Sequence, residues 1–328
     1  MNQNNTITME DLKYIKILLS MIKIRVFEEK VAEIAQNNEI QCPVHLCVGQ
    51  EAIASSICAN LFSTDYVYST HRSHGHYIAQ GGDIEKLMAE IYCRENGCSR
   101  GRGGSMHVID KSVGFMLSSP FVGGSIPIAV GSALAAKVAN NAQVSVAFFG
   151  DGATDEGVFY ESLNFAKVHN LPMIFVCENN SFSTHLPDFL RQSNTSIADR
   201  IKGFKINAKK VDGNNPYDIN NTAYEMIKRA RNNGGPSLIE CTTYRWLSHV
   251  GYWQDLDIGY RKKTDVESWM KRCPIDFLSN DLIKSGILTL DKLNQMKNKI
   301  KIQIEQATVK AQNSQKPDPL SIFEGQFS

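Results

Sequence analysis

The sequence predicts an α/β fold, with a doubly wound and mostly parallel sheet. Short apolar stretches at 143–149, 171–178 and 237–243 have the length of buried strands, and longer helical patterns separate them. Apolar strands that alternate with helices are typical of parallel βαβ units covered on both faces. The chain has 328 residues, 42% of them hydrophobic, which is enough to bury a substantial core.

The N-terminal part is predicted to begin with a helix over about 8–37, where apolar residues recur every three or four positions. Shorter helical patterns follow at about 49–61 and 83–92. The region 41–125 also contains polar loops with several histidines and a glycine-rich loop, SRGRGGSMH, at 99–107. Long polar loops inside a compact domain are usually functional.

The alternation of strands and helices becomes regular after residue 124. The predicted elements are a helix at 124–139, a strand at 143–149, a helix at 156–169, strands at 171–178 and 205–211, a helix at 216–233 opened by Pro216, and a strand at 237–243. The segment 244–265 lacks periodicity, whereas 289–313 is helical and charged.

We expect one domain overall. A helical N-terminal extension would cover 1–40, and the main domain would cover 41–328, with helical structure from about 265 to its end.

Composition excludes several classes of function. Thirty-five Lys+Arg and 34 Asp+Glu give a net charge of +1, which argues against nucleic-acid binding through bulk charge. No apolar run approaches the ~18 residues of a membrane span, so we expect a soluble, cytoplasmic protein with no membrane partner. Eight cysteines without C-x-x-C spacing predict reduced thiols rather than a zinc site or a disulfide framework.

The segment 150–157, GDGATDEG, stands between a predicted strand and the next helix. Its first two glycines let the backbone turn sharply and approach a ligand closely. Parallel βαβ units bring strand ends to one edge, so Asp151 and the pair Asn179 and Asn180 should face one crevice. Their oxygens suit Mg²⁺, which commonly keeps phosphate oxygens as ligands, and helix amides opening at about residue 154 would bind the same phosphates. We therefore predict a magnesium-diphosphate site.

Other phosphate motifs do not fit this segment. A dinucleotide fingerprint would need glycine at the position of Asp155, and no G-x-x-x-x-G-K-[ST] motif occurs. For GDG or for the asparagine pair taken alone, an ordinary turn or loop without a ligand remains the alternative. Their joint placement at adjacent strand ends favours the binding site.

GDG followed by 26 residues and NN matches the thiamine-diphosphate signature. The wider chain resembles the alpha subunit of the thiamine-dependent first component of 2-oxo acid dehydrogenases, the pyruvate, branched-chain and acetoin dehydrogenase family. The matching segments, in order, are HLCVGQEA at 45–52, HRSHG at 71–75, GRGGSMH at 101–107, VGGSIPIAVG at 122–131, GDGATDEG at 150–157, ENN at 178–180, TYR at 243–245 and GYRKKTDVESW at 259–269. The resemblance implies the thiamine-diphosphate-binding fold.

The resemblance also implies roles for individual residues. Asp151 and Asn180 would bind Mg²⁺ through their side chains, with the carbonyl of Phe182 as a third protein ligand. The further cofactor-binding positions that it implies are His71, Arg72, Val122, Gly123, Gly150, Gly152, Ala153 and His249.

Three histidines are the catalytic candidates that the resemblance implies: His74, His107 and His249. An imidazole there could shuttle protons or stabilise an anion. A structural hydrogen-bonding role stays open for His107. We interpret His45 as a structural loop residue.

The resemblance implies a subunit that is catalytically incomplete alone. A beta subunit would complete the site in an α₂β₂ assembly, the substrate would be a 2-oxo acid or acetoin, and a lipoyl acyltransferase is the implied acceptor. The chain departs from the family at His71, which replaces a tyrosine, at Pro120 and Phe121, and in the segments 182–185 and 246–259. Two alternatives remain: a non-oxidative decarboxylase or carboligase that transfers an acyl carbanion to an aldehyde or ketone, and a non-catalytic scaffold.

Overall fold

A six-stranded sheet forms the centre of the computed structural model, which describes residues 8–324. The strands are β1 (Tyr66–Thr70), β2 (Phe115–Ser119), β3 (Ser145–Gly150), β4 (Met173–Asn179), the small hairpin β5 (Phe182–Ser183) and β6 (Leu186–Pro187), β7 (Asn207–Asp212) and β8 (Ser237–Thr242). The main sheet has the order β2-β1-β3-β4-β8-β7, and all its neighbouring strands are parallel. The predicted fold class is confirmed.

Helices cover both faces of this sheet. They are α1 (Met9–Gln36), α2 (Glu51–Cys58), α3 (His74–Ala79), α4 (Ile84–Ile91), α5 (Ser125–Val138), α6 (Gly157–Val168), α7 (Ile197–Arg200), α8 (Pro216–Arg231), α9 (Lys263–Met270), α10 (Pro274–Lys284) and α11 (Leu290–Asn313). The long predicted helices agree with α1, α5, α6, α8 and α11 within two residues at each end. A capping box between Thr8 and Asp11 explains where α1 begins.

Each face of the sheet has its own apolar core, because side chains along a strand alternate between faces. In β3, Val146 and Phe148 belong to the core formed with α1, α2 and α8. Their neighbours Ala147 and Phe149 belong to the core formed with α5 and α6. Helix α1 buries ten side chains, so it is part of the first core along most of its length.

Two strands of the main sheet, and the small hairpin β5–β6, were not predicted. Strands β1 and β2 lie within 41–125, where only short helices and loops were expected. Both are five residues long and end in Ser or Thr, so their sequences lack the continuous apolar run that marks β3 and β4. Backbone pairing against β3 makes β1 a strand, which is a tertiary effect.

The backbone just before α6 differs from the expectation that helix amides open at about residue 154. A 3₁₀ turn over Asp151–Asp155 follows β3, and the α-helix begins only at Gly157 rather than near residue 154. We call residues 150–155 the GDG turn. Its backbone amides therefore belong to a tight turn and not to the first turn of a long helix.

The glycine-rich loop folds around a buried carboxylate. Glu90, at the end of α4, is fully buried, and its Oε2 accepts hydrogen bonds from the amides of Ser99 at 2.7 Å and Gly101 at 2.9 Å. Its Oε1 accepts from the amides of Gly103 at 2.7 Å and Gly104 at 3.2 Å. The glycines here let four amides converge on one anion of the chain itself.

The remaining composition-based expectations concern thiols and membrane spans. All eight cysteines are free, and five of them are buried. Cys98, which lies in front of the glycine-rich loop, has its pKa raised to about 12 by burial. None of the helices described between residues 8 and 324 combines the length and apolar character needed to cross a bilayer.

Candidate functional site

A cavity of about 200 Å³ lies at the carboxyl edge of the sheet. Segments that follow β1, β2, β3, β4 and β8 form its walls, so five strand ends contribute. The predicted residues that line it are His71, Arg72, Val122, Gly123, Gly150, Asp151, Gly152, Ala153, Asn180, Phe182 and His249. A crevice at the carboxyl ends of the strands is the usual place for ligands in doubly wound folds.

Two predicted catalytic candidates do not line this cavity. His74 is fully buried, with Nδ1 2.8 Å from Glu28 Oε2 and Nε2 2.8 Å from Ser105 Oγ. His107 is exposed at the end of the glycine-rich loop. The structure therefore brings only His249 of the three catalytic candidates to the cavity.

Asp151 is the carboxylate of the GDG turn, and it is 3% exposed. Its Oδ2 forms an ion pair with Arg191, which also pairs with Asp155, while its Oδ1 has no hydrogen-bond partner among residues 8–324. Burial raises the pKa of Asp151 to about 6, and the Arg191 guanidinium opposes this rise. A buried carboxylate oxygen without a partner, beside one cation already, fits a site that binds a cation.

The two asparagines after β4 have different environments. Asn180 lines the cavity, and its Nδ2 donates to Gln50 Oε1 at 3.1 Å. Asn179 does not reach the cavity: its Nδ2 donates to Glu240 Oε1 at 2.8 Å, and its Oδ1 accepts from the amide of Ser181. The expectation that both asparagines face the crevice is therefore wrong for Asn179, because the strand directs successive side chains to opposite faces.

The turn after these asparagines has an unusual backbone. Ser181 and Thr184 have φ angles of +66° and +56°, in the left-handed region that non-glycine residues rarely adopt. The carbonyl of Thr184 accepts a hydrogen bond from Arg245 Nη2 at 3.0 Å, which holds this turn against the cavity. Backbone strain of this kind is concentrated at functional sites.

Basic side chains form the opposite wall. Arg72 and Arg245 are buried, and the rings of His45, His71 and His249 lie beside them. Burial first, and then the charge of Arg72, lowers the pKa of His71 to about 2 and those of His45 and His249 to about 3. Burial and Arg245 lower the pKa of Arg72 to about 10. At neutral pH this wall therefore holds two cations and three neutral imidazoles, and it favours an anionic ligand.

Three site residues were not predicted from the sequence: His45, Gln50 and Arg245. Within the described part of the chain, His45 Nδ1, Gln50 Nε2 and Arg245 Nη1 are buried atoms without a hydrogen-bond partner. His45 and Arg245 line the cavity, and Gln50 contacts Asn180. All three lie in the quoted segments HLCVGQEA and TYR, but no spacing rule gave these residues a chemical role. Such atoms in a native fold commonly await a ligand, water or ion.

Comparison with known proteins identifies the family. The sequence profile described as "Dehydrogenase E1 component" matches residues 19–320. This chain belongs to the dehydrogenase E1 component family. Its relatives in this family include the acetoin:2,6-dichlorophenolindophenol oxidoreductase alpha subunit of Bacillus subtilis, which is 40% identical over 90% of this chain and 88% of the relative. The corresponding subunit of Cupriavidus necator is 36% identical over 91% and 89%.

A pyruvate dehydrogenase E1 alpha subunit, from Porphyra purpurea, is 34% identical over 96% of this chain and 92% of the relative. The resemblance stated from the motifs is thereby confirmed. As a dehydrogenase E1 component the chain is part of an enzyme, the family implies thiamine diphosphate as cofactor, and the names of the relatives as alpha subunits imply a beta subunit.

Proposed function

We propose that the chain is the alpha subunit of a thiamine-diphosphate-dependent 2-oxo acid or acetoin dehydrogenase and that it binds the magnesium-diphosphate half of the cofactor. One observation carries this proposal: the same cavity is lined by an Asp151 oxygen without a partner among the described residues and by the basic wall around Arg72. A carboxylate on one side and guanidinium groups on the other suit a cation that carries a bound phosphate anion.

The magnesium ligands would be Asp151, Asn180 and the carbonyl of Phe182. All three residues line the cavity. Because Arg191 pairs with Asp151 Oδ2, this guanidinium would lie beside a dication bound at Oδ1 and repel it. Arg191 is then a competitor of the metal ion.

The diphosphate would be bound by Arg72, His71 and His249, with the backbone of Gly150, Gly152 and Ala153 on the other side. Gly152 has a reason to be glycine, because a Cβ there would lie 2.6 Å from Ser183 Oγ. Val122 and Gly123 would contact the aminopyrimidine. Each of these positions lines the cavity.

Thiamine diphosphate, when bound, supplies the electron sink for decarboxylating a 2-oxo acid or cleaving a ketol. The chain orients it and neutralises its charge. His249, neutral and at the cavity, is the histidine placed to accept or donate a proton. His74, between Glu28 and Ser105, would act as a positioning residue for the glycine-rich loop, and His107 would reach the reacting atoms only across an interface with another chain.

A beta subunit is needed to enclose the cofactor. The cavity of about 200 Å³ is smaller than the roughly 300–1,000 Å³ of typical small-molecule sites, which supports a second wall contributed by another chain. We propose an α₂β₂ assembly in the cytoplasm, with transfer of the acyl group to a lipoyl acyltransferase.

Carboligation is the second candidate. Phe182, Ser183 and Thr184 line the cavity and belong to a segment that departs from the family, and Phe121 is 77% exposed at its mouth. Both features alter the walls that a substrate or acceptor would meet. A scaffold role is disfavoured, because a degenerate protein has no need to keep Asp151, Asn180, Arg72 and His249 together.

Affinity purification of the tagged chain under native conditions tests the proposal. Mass spectrometry should find a beta-type chain, and the sample should contain stoichiometric thiamine diphosphate. Acylation of an added free lipoyl domain would support the dehydrogenase, whereas acetoin-like products formed without it would support the carboligase. Absence of both cofactor and beta-type chain would overturn both.

Arg72→Ala tests the diphosphate contact directly. Losing a buried guanidinium should weaken thiamine diphosphate binding by about 100-fold and thiamine binding much less, because only the first ligand carries the anion. Calorimetric titration of both ligands gives the ratio. Equal losses for the two ligands would contradict the contact.

A further inference from the structure

Three imidazoles meet at one wall of the cavity. His45 comes from the loop before α2, His71 follows β1 and His249 follows β8. Their ring centroids are 4.5, 5.2 and 5.2 Å apart, and one ligand nitrogen of each lies within 4.8 Å of the other two. Histidines from three separate segments thus face a common point.

The arrangement is close to that of a zinc site. Tetrahedral zinc, with Zn–N distances of about 2.0–2.1 Å, holds its nitrogens about 3.3 Å apart and the imidazole centroids about 5 Å apart. The rings are tilted to one another by 58°, 64° and 80°, as rings around a metal are, and not stacked. His45 Nδ1 is buried without a partner. Small movements of the nitrogens would complete the geometry.

We propose that His45, His71 and His249 form a binding site for a divalent transition metal of the Zn²⁺ class. His71 is a departure from the family, which usually has tyrosine at that position. Neutral imidazole is the form of histidine that ligates metal, through either ring nitrogen.

Nearby charges determine what else binds with the metal. Arg72 and Arg245 line the same cavity and repel a bare dication, while Glu178 and Asp151 also line it and attract one. Three histidines leave the fourth position of a tetrahedral ion open. We expect an anion there, such as hydroxide, chloride or a carboxylate, because it would reduce the repulsion from the two guanidinium groups.

Zinc and cofactor should exclude each other. This consequence rests on the proposed function, in which His71, Arg72 and His249 contact the diphosphate. The metal site itself depends only on the three histidines. The cofactor-free chain would therefore bind transition metal, and the magnesium-loaded cofactor would displace it.

The experiment uses the full chain after cofactor and metals are removed. Zn²⁺ is titrated by calorimetry, and Co²⁺ reports coordination geometry through its visible absorption. We expect one metal per chain with a tetrahedral cobalt spectrum. His71→Tyr, which restores the residue typical of the family, should weaken zinc binding by at least about 100-fold. Asp151→Asn, which removes one nearby negative charge but no proposed zinc ligand, should weaken it far less.

Several outcomes would overturn the metal site. Equal zinc affinity in His71→Tyr would place the metal elsewhere, for instance at the exposed Cys93. Loss of zinc binding in Asp151→Asn would place it at the magnesium site. If His71→Tyr fails to fold, which circular dichroism would show, His45→Gln serves as the second variant with the same expected loss.

A competition titration separates this proposal from the proposed function. Excess thiamine diphosphate with Mg²⁺ should lower the apparent zinc affinity of the wild-type chain. Zinc binding that depends on His71 but does not respond to the cofactor would keep the metal site and contradict the placement of the diphosphate.

Discussion

Two glycine-containing turns of this chain have opposite relations to their polar groups. In the glycine-rich loop, four backbone amides converge on the buried carboxylate of Glu90, an anion that the chain itself provides. In the GDG turn, the carboxylate of Asp151 faces a cavity, and one of its oxygens has no partner. One turn is closed by its own contacts and the other is open to a ligand.

The difference shows how to separate structural from binding loops that look alike in sequence. Both segments are rich in glycine and polar residues, and both occur in the segments that resemble the family. Only the tertiary contacts reveal that the hydrogen-bonding groups of one are satisfied while those of the other are not. Buried polar groups without partners are costly, so they indicate where a ligand belongs.

The largest expected effect comes from Asp151→Asn. Removing the charge should lower magnesium-dependent affinity for thiamine diphosphate by about 100-fold or more, because Mg²⁺ favours a charged oxygen ligand. Calorimetric titration in the presence and absence of Mg²⁺ measures it. Asp155→Asn is the matched control, since Asp155 also pairs with Arg191 but does not line the cavity. Unchanged affinity in Asp151→Asn would remove the basis for calling this turn open.

Glu90→Gln tests the closed turn. The new side-chain amide would direct an N–H group at backbone amides that need an acceptor. We therefore expect a loss of about 2–4 kcal/mol in the free energy of unfolding. Urea denaturation measures it, and cofactor affinity of the folded chain should change little. Glu85→Gln, on the exposed side of α4, is the control. A loss of cofactor affinity without a loss of stability would show that the glycine-rich loop also binds ligand.

Arg191→Gln should change magnesium-dependent cofactor affinity less than Asp151→Asn does, and in the opposite direction. Removing the cation that competes for Asp151 should raise magnesium-dependent cofactor affinity by about tenfold. Titration of Mg²⁺ at fixed cofactor concentration gives the shift, with Lys202→Gln at an exposed ion pair as control. Weaker magnesium binding in Arg191→Gln would mean that Arg191 supports the site instead of competing for it.

The smallest effect concerns pH. The pKa of His71 is lowered to about 2 in the folded chain, from its ordinary value of 6.5, chiefly by burial. The unfolded chain therefore binds a proton below pH 6.5 that the folded chain does not, and stability falls as pH falls. His71→Tyr should reduce this slope by about 1 kcal/mol per pH unit between pH 6 and 4. Denaturation at several pH values measures it, with the exposed His169→Tyr as control; an unchanged slope in His71→Tyr would contradict the neutral imidazole.

The sequence by itself determined the fold class and the position of the central site. Strands β3 and β4 contain continuous apolar runs and β8 contains a shorter one, and these runs and the helical patterns between them follow from local side-chain patterning. Asp151 and Asn180 were placed at one edge by the handedness of βαβ units, and both line the cavity.

Only the tertiary structure decided the rest. Strand β1 forms because β3 offers a pairing edge, and β2 forms because β1 then offers one; neither sequence has a strong pattern of its own. Arg191 and Asp151, which form an ion pair, are 40 positions apart in the sequence. His45, His71 and His249 come together from three separate segments. The physical reason is that charge partners and unsatisfied groups depend on three-dimensional proximity, which spacing along the chain does not encode.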